Sequence, residues 1–224
     1  MPRQKLADRS LPDYTKGEEM FNMVSHIVGG AVGITALTLC VIFAALHGNV
    51  MGVVSSAIYG ASMIILYTMS SIYHGLSPKL KSKKVFQIMD HCSIFLLIAG
   101  TYTPFTLCSM REQNTALGWT IFGIIWAAAI LGITLNSIDI KAYRKFSAIC
   151  YLVMGWCIIV AIKPMITALG SGGMTLLVSG GICYTIGALI YYLLKKKRYM
   201  HSVFHLFVLA GSILHMFSIL LYVV

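Results

Sequence analysis

The sequence predicts an all-α, polytopic membrane protein with seven transmembrane helices. Of its 224 residues, 58% are hydrophobic and only 11% are charged, and the mean hydropathy is +0.83. Soluble domains carry about 25% charged residues. The chain is divided into apolar runs near the length of roughly 20 residues that a helix needs to cross a bilayer. The net charge of +10 lies in the short connections between these runs, so it indicates membrane topology and not a nucleic-acid partner.

The elements follow one another as a single domain over residues 1–224, which begins with a polar cytoplasmic tail over 1–23. This tail lacks the apolar stretch and the cleavage site of a signal peptide. The apolar runs lack the alternation of barrel strands, and a helix satisfies its own backbone hydrogen bonds in lipid. The predicted spans, of which the fifth is short, are 24–46, 50–73, 85–108, 116–138, 146–162, 174–194 and 203–224.

The basic residues predict the orientation of these helices. Among the 17 lysines and arginines, only Arg111 and Lys163 lie outside the tail and the second, fourth and sixth connections. Because basic loops stay on the cytoplasmic side, the N-terminus is expected inside and the C-terminus outside. The residues on the inner side are Arg3, Lys5, Arg9 and Lys16, then Lys79, Lys81, Lys83 and Lys84, then Lys141, Arg144 and Lys145, and finally Lys195, Lys196, Lys197 and Arg198.

Ionisable side chains inside the spans are costly and mark functional sites by default. With the predicted orientation, three helices that are distant in sequence each bring such a group to one cytoplasmic depth. His74 ends the second helix, and Asp90 lies one or two turns into the third. His201 and His205 open the seventh helix, and their spacing of four places them on one helical face. This clustering predicts a metal site near the cytoplasmic surface.

Zinc fits these residues, because catalytic zinc commonly takes three protein ligands and keeps a fourth position for water. His74, His201 and His205 would supply three nitrogens. Zinc lowers the pKa of bound water to about 7 and polarises a carbonyl. Asp90 would act on that water as a base or would ligate the metal directly, and Ser70, one turn from His74, would orient the water or the carboxylate. The competing interpretation is that the histidines form interhelical hydrogen bonds, which is the one we favour for His215.

A second group of polar residues gathers at the same surface, and two interpretations remain open for it. The residues form either a second polar cluster, or helix caps and interfacial hydrogen bonds. The nearby run over 195–198 is expected to anchor the topology and, secondarily, to contact anionic lipid. The members of the group are Glu18 or Glu19, Asn22, His26 and His91.

Four segments carry a resemblance to a known family. They are Glu-Glu-Met-Phe-Asn-Met-Val-Ser-His (18–26), Ser-Ser-Ile-Tyr-His-Gly (70–75), the run from Asp90 to Pro104, and the run from His201 to His215. With these motifs the sequence resembles the hemolysin III family, the bacterial branch of the progestin and adipoQ receptors, within a wider group that includes the alkaline ceramidases.

The resemblance implies zinc on His74, His201 and His205, with Asp90 contacting the zinc-bound water and Ser70 beside it. It also implies seven helices, an internal N-terminus and a bacterial cell membrane. Membrane lipids are the expected partners. Three functions remain open: a zinc-dependent hydrolase of a lipid amide or ester in membrane-lipid homeostasis, a non-catalytic sensor of lipid state with structural zinc, and a pore-forming hemolysin.

Overall fold

A computed structural model of the chain describes residues 6, 9–194 and 197–224. Within these residues the structure is helical and contains no strand, which confirms the predicted all-α class. The helices are α1 (Lys16–Leu46), α2 (Val50–Gly75), α3 (Lys81–Pro104), α4 (Thr115–Asp139), α5 (Arg144–Trp156), α6 (Ile162–Leu194) and α7 (Met200–Tyr222). A π-helical stretch, Phe105–Met110, and a short turn, Arg111–Gln113, extend α3, and the 3-10 segment Cys157–Ala161 joins α5 to α6.

The number of separate spans differs from the predicted seven. In the described part of the chain, six helical stretches are long and apolar enough to cross a membrane. The difference arises between residues 144 and 194, where the predicted fifth and sixth spans form one 51-residue stretch, Arg144–Leu194. The residues expected to connect them are themselves mostly helical, because 162–169 continue the helical path after the 3-10 segment.

A break inside this stretch lies at Gly170, whose φ of 60° and ψ of −173° are not helical. A positive φ of this kind is readily adopted by glycine, which has no Cβ. Beyond the break, α6 runs antiparallel to α7. The Ser218 hydroxyl donates to the carbonyl of Gly173 at 3.0 Å, and the rings of Tyr191 and His201 lie 5.4 Å apart near the other ends of the two helices.

Helices α1, α2 and α7 pack together around the site described below. Helix α2 runs antiparallel to α1, and the ring of Tyr67 packs directly against the α1 backbone at Gly29, where a Cβ atom would overlap it. The Tyr67 hydroxyl in turn donates to Ser212 of α7 at 2.7 Å. The stretch Lys81–Gln113, which begins with α3, is the most enclosed of the candidate spans, with 78% of its most apolar part buried. The end of α2 and the start of α7 are thereby brought together at one end of the bundle.

The basic connections meet at this same end. The N-terminal segment reaches the α4–α5 connection, where Lys141 donates to the Ser10 hydroxyl at 2.9 Å. Glu18 accepts a hydrogen bond from Arg198, before α7, at 3.2 Å. Glu19 pairs with Lys83, near the start of α3, at 2.8 Å. Arg3, Lys5, Lys195 and Lys196, which also entered the topology prediction, lie outside the described residues.

Candidate metal site

Three histidine side chains converge where α2 ends and α7 begins. The Nε2 atom of His201 lies 3.3 Å from Nε2 of His74 and 3.1 Å from Nε2 of His205. One donor atom from each of the three histidines lies within 4.8 Å of the others. His74 and His205 are almost fully buried, with 3% and 1% of their surface exposed. The predicted trio is therefore brought together by the fold.

Local structure sets the positions of these rings. His74 lies in the last turn of α2, which ends at Gly75, and His201 lies in the first turn of α7. The start of α7 is fixed by Tyr199, whose backbone has a left-handed φ of 59° and whose N–H donates to the Glu18 carboxylate at 2.7 Å. Glu18 also forms a capping box with Thr15 at the start of α1. Of the two interpretations left open for this group of polar residues, helix capping therefore applies to Glu18.

The two distances from Nε2 of His201 to the Nε2 atoms of His74 and His205 fit a metal ion. Zinc binds imidazole nitrogen at about 2.0–2.1 Å in tetrahedral geometry, which places two bound nitrogens roughly 3.3–3.4 Å apart. The observed separations of 3.3 and 3.1 Å are close to that edge length. Imidazole is also a preferred ligand of zinc, copper, iron and nickel. The donors and their spacing fit a three-histidine metal site and do not by themselves select zinc.

Glu19 is a site residue that the sequence-based assignment of metal ligands did not include. Its Oε2 atom lies 2.6 Å from Nδ1 of His74, and its Oε1 atom pairs with Nζ of Lys83. A carboxylate that accepts from Nδ1 fixes the tautomer of a histidine and leaves Nε2 free as a ligand. The spacing of Glu19, Asn22 and His26 places them along one face of α1, but this periodicity alone does not tell which neighbouring helix that face meets.

Asn22 and His26 are packed against the trio and do not form a separate cluster. The ring of His26 is stacked on that of His205, with centroids 3.7 Å apart and planes at 11°. Asn22 accepts a hydrogen bond from the Ser202 hydroxyl at 2.7 Å. Nδ2 of Asn22 and both ring nitrogens of His26 are buried and have no hydrogen-bond partner among the described residues. Buried polar atoms of this kind are usually satisfied by water or a ligand.

Ser70 and Asp90, the predicted catalytic residues, occupy different positions relative to the trio. Ser70 lies one turn before His74 on α2, and its buried Oγ has no partner in the described part of the chain. The Asp90 carboxylate is largely buried, with 13% of the side chain exposed, and lies 3.7 Å from Nδ1 of His91. Within the described residues it makes no hydrogen bond to the three histidines. Nδ1 of His91 lies 2.9 Å from the backbone carbonyl of Gln87 on its own helix, α3.

Tyr14 covers the site from the N-terminal segment. Its ring stacks on that of His201, with centroids 5.0 Å apart and planes at 11°. Burial raises the pKa of the Tyr14 phenol well above its usual value, so the hydroxyl stays protonated as a hydrogen-bond donor. Smaller contributions in the same direction come from Tyr191, Tyr73, Glu19 and Asp90. Both carboxylates therefore act electrostatically on the same phenol, at the basic end of the bundle.

His215 lies apart from the trio. Its Nε2 lies 3.0 Å from the carbonyl of Leu177 on α6, and its ring faces Phe105 and Tyr184. This is the interhelical hydrogen bond expected for a histidine deep in the last span. Histidine at two depths of one helix thus has two different roles, and only the pair nearest the start of α7 joins the candidate site.

Comparison with known proteins places this chain beside bacterial hemolysin-3 proteins. The sequence profile of the family described as haemolysin-III related matches residues 14–216. The chain is 44% identical to a hemolysin-3 of Bacillus cereus, with 92% of each chain aligned. It is 40% identical to a hemolysin-3 homolog of Bacillus subtilis, over 94% of this chain and 97% of the other. A human monocyte to macrophage differentiation factor is 23% identical over 74% of this chain and 69% of its own length.

Proposed function

Because the chain belongs to the haemolysin-III-related family and is a multi-pass bacterial membrane protein, we propose that it is a zinc-dependent hydrolase of a lipid amide or ester. The observation that carries this proposal is the convergence of three Nε2 atoms, from His74, His201 and His205, at 3.1 and 3.3 Å. The site lies where α2 ends and α7 begins, and if these apolar helices span the bilayer, as we propose, it lies at the depth of the membrane interface. The amide and ester carbonyls of membrane lipids lie at that depth.

Seven membrane crossings, with the basic end in the cytoplasm, are part of this proposal. A helical stretch of 51 residues is roughly 75 Å long at 1.5 Å per residue, more than twice the hydrocarbon thickness of about 30 Å. The break at Gly170 supports two crossings by this stretch, one on each side of it. The positive-inside rule assigns the basic end to the cytoplasm. The substrate would then be a lipid of the cytoplasmic leaflet.

In the proposed reaction, different residues of the chain bind the metal, transfer the proton and stabilise the negative charge. His74, His201 and His205 would hold the metal, and zinc, when bound, supplies a Lewis acid that polarises a carbonyl and acidifies water. Asp90 would accept the proton of the attacking water on its carboxylate and return it to the leaving group. The Ser70 hydroxyl would donate to the developing negative charge on the substrate oxygen. The support for Ser70 is its buried, unpartnered Oγ one turn from His74.

The polar atoms without partners beside the trio support a substrate with polar groups near its scissile bond. Asn22 offers amide hydrogens, and the neutral ring of His26 offers one donor and one acceptor. Leaving such atoms buried and unpaired costs on the order of 1–3 kcal/mol each. A lipid with hydroxyl, amide or ester groups next to its acyl chain would satisfy them and would leave the chain itself in the apolar part of the bundle or the bilayer.

Elemental analysis of detergent-purified protein is the first test. We expect about one zinc per chain in the wild type and none in the His201→Ala/His205→Ala double variant, with His215→Ala as a matched control that keeps the metal. Metal-loaded protein in liposomes is then offered a panel of ceramides and glycerolipids, and fatty-acid release is measured. Folded wild type that holds no zinc would refute the mechanism, and zinc without any product would refute the hydrolase.

A non-catalytic sensor of lipid state is the second candidate, and one observation favours it. The three histidines come from α2 and α7, and Glu19 of α1 holds His74, so a bound metal would link three helices. Such a protein would change its unfolding temperature strongly on metal removal and would release no product from any lipid. The unfolding temperature is measured on the detergent-purified protein with and without metal, and product release is measured on the liposome samples.

Membrane lysis is a third candidate, because the Bacillus cereus relative is named a hemolysin. Purified protein added to dye-loaded liposomes tests it directly. Dye release that depends on protein concentration would support lysis, and intact liposomes at micromolar protein would remove it.

A further inference from the structure

Lys83 lies near the start of α3 with only 1% of its surface exposed. Lysine is almost never fully buried unless it is paired, because removing an ammonium group from water is expensive. The neighbouring lysines of the same connection differ from it. Lys79 and Lys81 are exposed, as expected for residues that set membrane topology. The burial of Lys83 therefore requires an explanation of its own.

The contacts of the Lys83 ammonium account for its burial. Its Nζ donates to the carbonyls of Tyr73 and Leu76, both at 2.9 Å, and lies 3.5 Å from the carbonyl of His74. These carbonyls belong to the C-terminal end of α2, where a helix has no internal partners for them and attracts cations. The ammonium also lies 4.9 Å from the centre of the Tyr73 ring. Lys83 thus acts as a cap on α2, contributed by α3.

The same ammonium also binds the carboxylate that holds His74. Lys83 Nζ lies 2.8 Å from Oε1 of Glu19, and Oε2 of Glu19 lies 2.6 Å from Nδ1 of His74. Both oxygens of the carboxylate are therefore occupied, one by each neighbour. With Nδ1 donating to Glu19, the lone pair of His74 is on Nε2, the atom that faces His201. The chain Lys83–Glu19–His74 connects α3, α1 and α2.

From these contacts we infer that Lys83 is a positioning residue for the metal site: it fixes the Glu19 carboxylate and, through it, the orientation and tautomer of His74. The inference rests on the proposal that His74, His201 and His205 bind a metal. It concerns metal affinity and needs no assumption about the substrate. Removal of Lys83 leaves Glu19 free to turn away from His74, and the Nε2 atom then loses its fixed direction.

Zinc affinity, measured by competition with a chromophoric chelator, tests the inference on the full-length protein in detergent. The variants are Lys83→Gln, which keeps hydrogen-bond donors for the carbonyls, Lys83→Met, and Glu19→Gln. Lys81→Gln is the matched control, because Lys81 is exposed in the same turn region. Loss of the outer partner of a ligand typically weakens metal binding by about 10- to 100-fold. We expect a loss in that range for Lys83→Gln and for Glu19→Gln, and wild-type affinity for Lys81→Gln.

The double variant Glu19→Gln/Lys83→Gln separates positioning from general stabilisation. If Lys83 acts through Glu19, the double variant binds zinc no more weakly than Glu19→Gln alone, because coupled residues are non-additive. The absorption spectrum of bound Co²⁺ gives a second measure, which we expect to shift in both single variants and to be unchanged in Lys81→Gln. Thermal unfolding of the metal-free proteins shows whether each variant is folded. If Lys83→Met is not folded, the comparison with wild type uses Lys83→Gln alone.

Wild-type zinc affinity in folded Lys83→Gln, or losses that simply multiply in the double variant, would overturn the inference while leaving the metal site intact. Wild-type protein that binds no metal would overturn both the proposed function and this inference. The two failures are therefore distinguished by the wild-type measurement.

Discussion

The imidazole of His26 lies flat against that of His205, with ring centroids 3.7 Å apart and planes at 11°. His26 belongs to α1 and His205 to α7, so this contact fixes a candidate metal ligand from outside its own helix. The ring of Tyr67, from α2, makes an edge-to-face contact with His26, with ring centroids 5.0 Å apart and ring planes at 84°. The ring of His205 is thereby held in one orientation by its packing.

Replacement of His26 by alanine is expected to weaken zinc binding and replacement by phenylalanine to preserve it. Stacked aromatic pairs contribute about 0.5–1.5 kcal/mol beyond burial, which corresponds to a loss of roughly two- to tenfold in affinity for His26→Ala. His26→Phe keeps the stack. Chelator competition measures both, and His47→Ala, at an exposed histidine before α2, is the control. Equal losses in the alanine and phenylalanine variants would show that the ring nitrogens of His26, and not its stacking, support the metal.

The three histidines could be predicted from sequence because their evidence is local and topological. Four-residue spacing places His201 and His205 on one helical face, and alternating basic connections place His74 at the same end of the bundle. Both arguments need only the helical period and the direction of each helix. A capping role for Glu18 can be predicted from sequence for the same reason, because the motif from Thr15 to Glu18 is contained in four residues.

The role of Glu19 could not be predicted because it depends on the rotation of α1 against α2. Glu18 and Glu19 are adjacent and lie about 100° apart around the helix. One binds the start of α7 and the other binds His74. Tyr14 lies in an irregular segment without a periodic pattern, so its stacking on His201 had no signal in the sequence. The helical path through 162–169 was missed because Lys163 and Pro164 at its start and the Gly-Ser-Gly-Gly run that follows it (170–173) are typical of a connection between spans.

Replacement of Asp90 by asparagine is expected to keep the metal and to abolish lipid hydrolysis. Asparagine has nearly the same shape but cannot accept the proton of the attacking water, and loss of a general base costs typically 10²- to 10⁴-fold in rate. Zinc content and product release are measured on the same preparation. Glu112→Gln, an exposed acid that follows the far end of α3, is the control. Undiminished turnover in Asp90→Asn would remove Asp90 as the base, and loss of zinc would make it a ligand.

Replacement of Tyr14 by alanine is expected to accelerate the removal of metal by a chelator. The Tyr14 ring covers His201 at 5.0 Å, and loss of an aromatic contact worth about 0.5–1.5 kcal/mol raises the population of open states roughly two- to tenfold. Tyr14→Phe keeps the ring and is the matched control. Stopped-flow mixing of zinc-loaded protein with excess chelator gives the rate. Equal rates for wild type and both variants would mean that metal leaves by a route that Tyr14 does not cover.

A buried network around Ser212 gives a prediction about the stability of the bundle. Oγ of Ser212 lies 2.7 Å from the hydroxyls of both Tyr67 and Tyr184. The Tyr59 hydroxyl donates to the Ser212 carbonyl at 3.3 Å. Because Tyr59 and Tyr67 belong to α2 and Tyr184 to α6, this residue of α7 joins three helices well below the metal site.

Ser212→Ala leaves the Tyr67 and Tyr184 hydroxyls without their shared partner in an environment that lacks water. Interhelical hydrogen bonds in membrane proteins average about 0.6 kcal/mol and reach about 1.7, so two losses are expected to lower the free energy of unfolding by about 1–3 kcal/mol. Denaturant unfolding in mixed micelles measures this change. Thr175→Ala is the control, because Thr175 is exposed and its hydroxyl bonds only within its own helix, to Ser171. Zinc affinity should stay at the wild-type value in Ser212→Ala, since the network touches none of the three ligands. A fall in affinity without a fall in stability would contradict this account and would couple the middle of the bundle to the site.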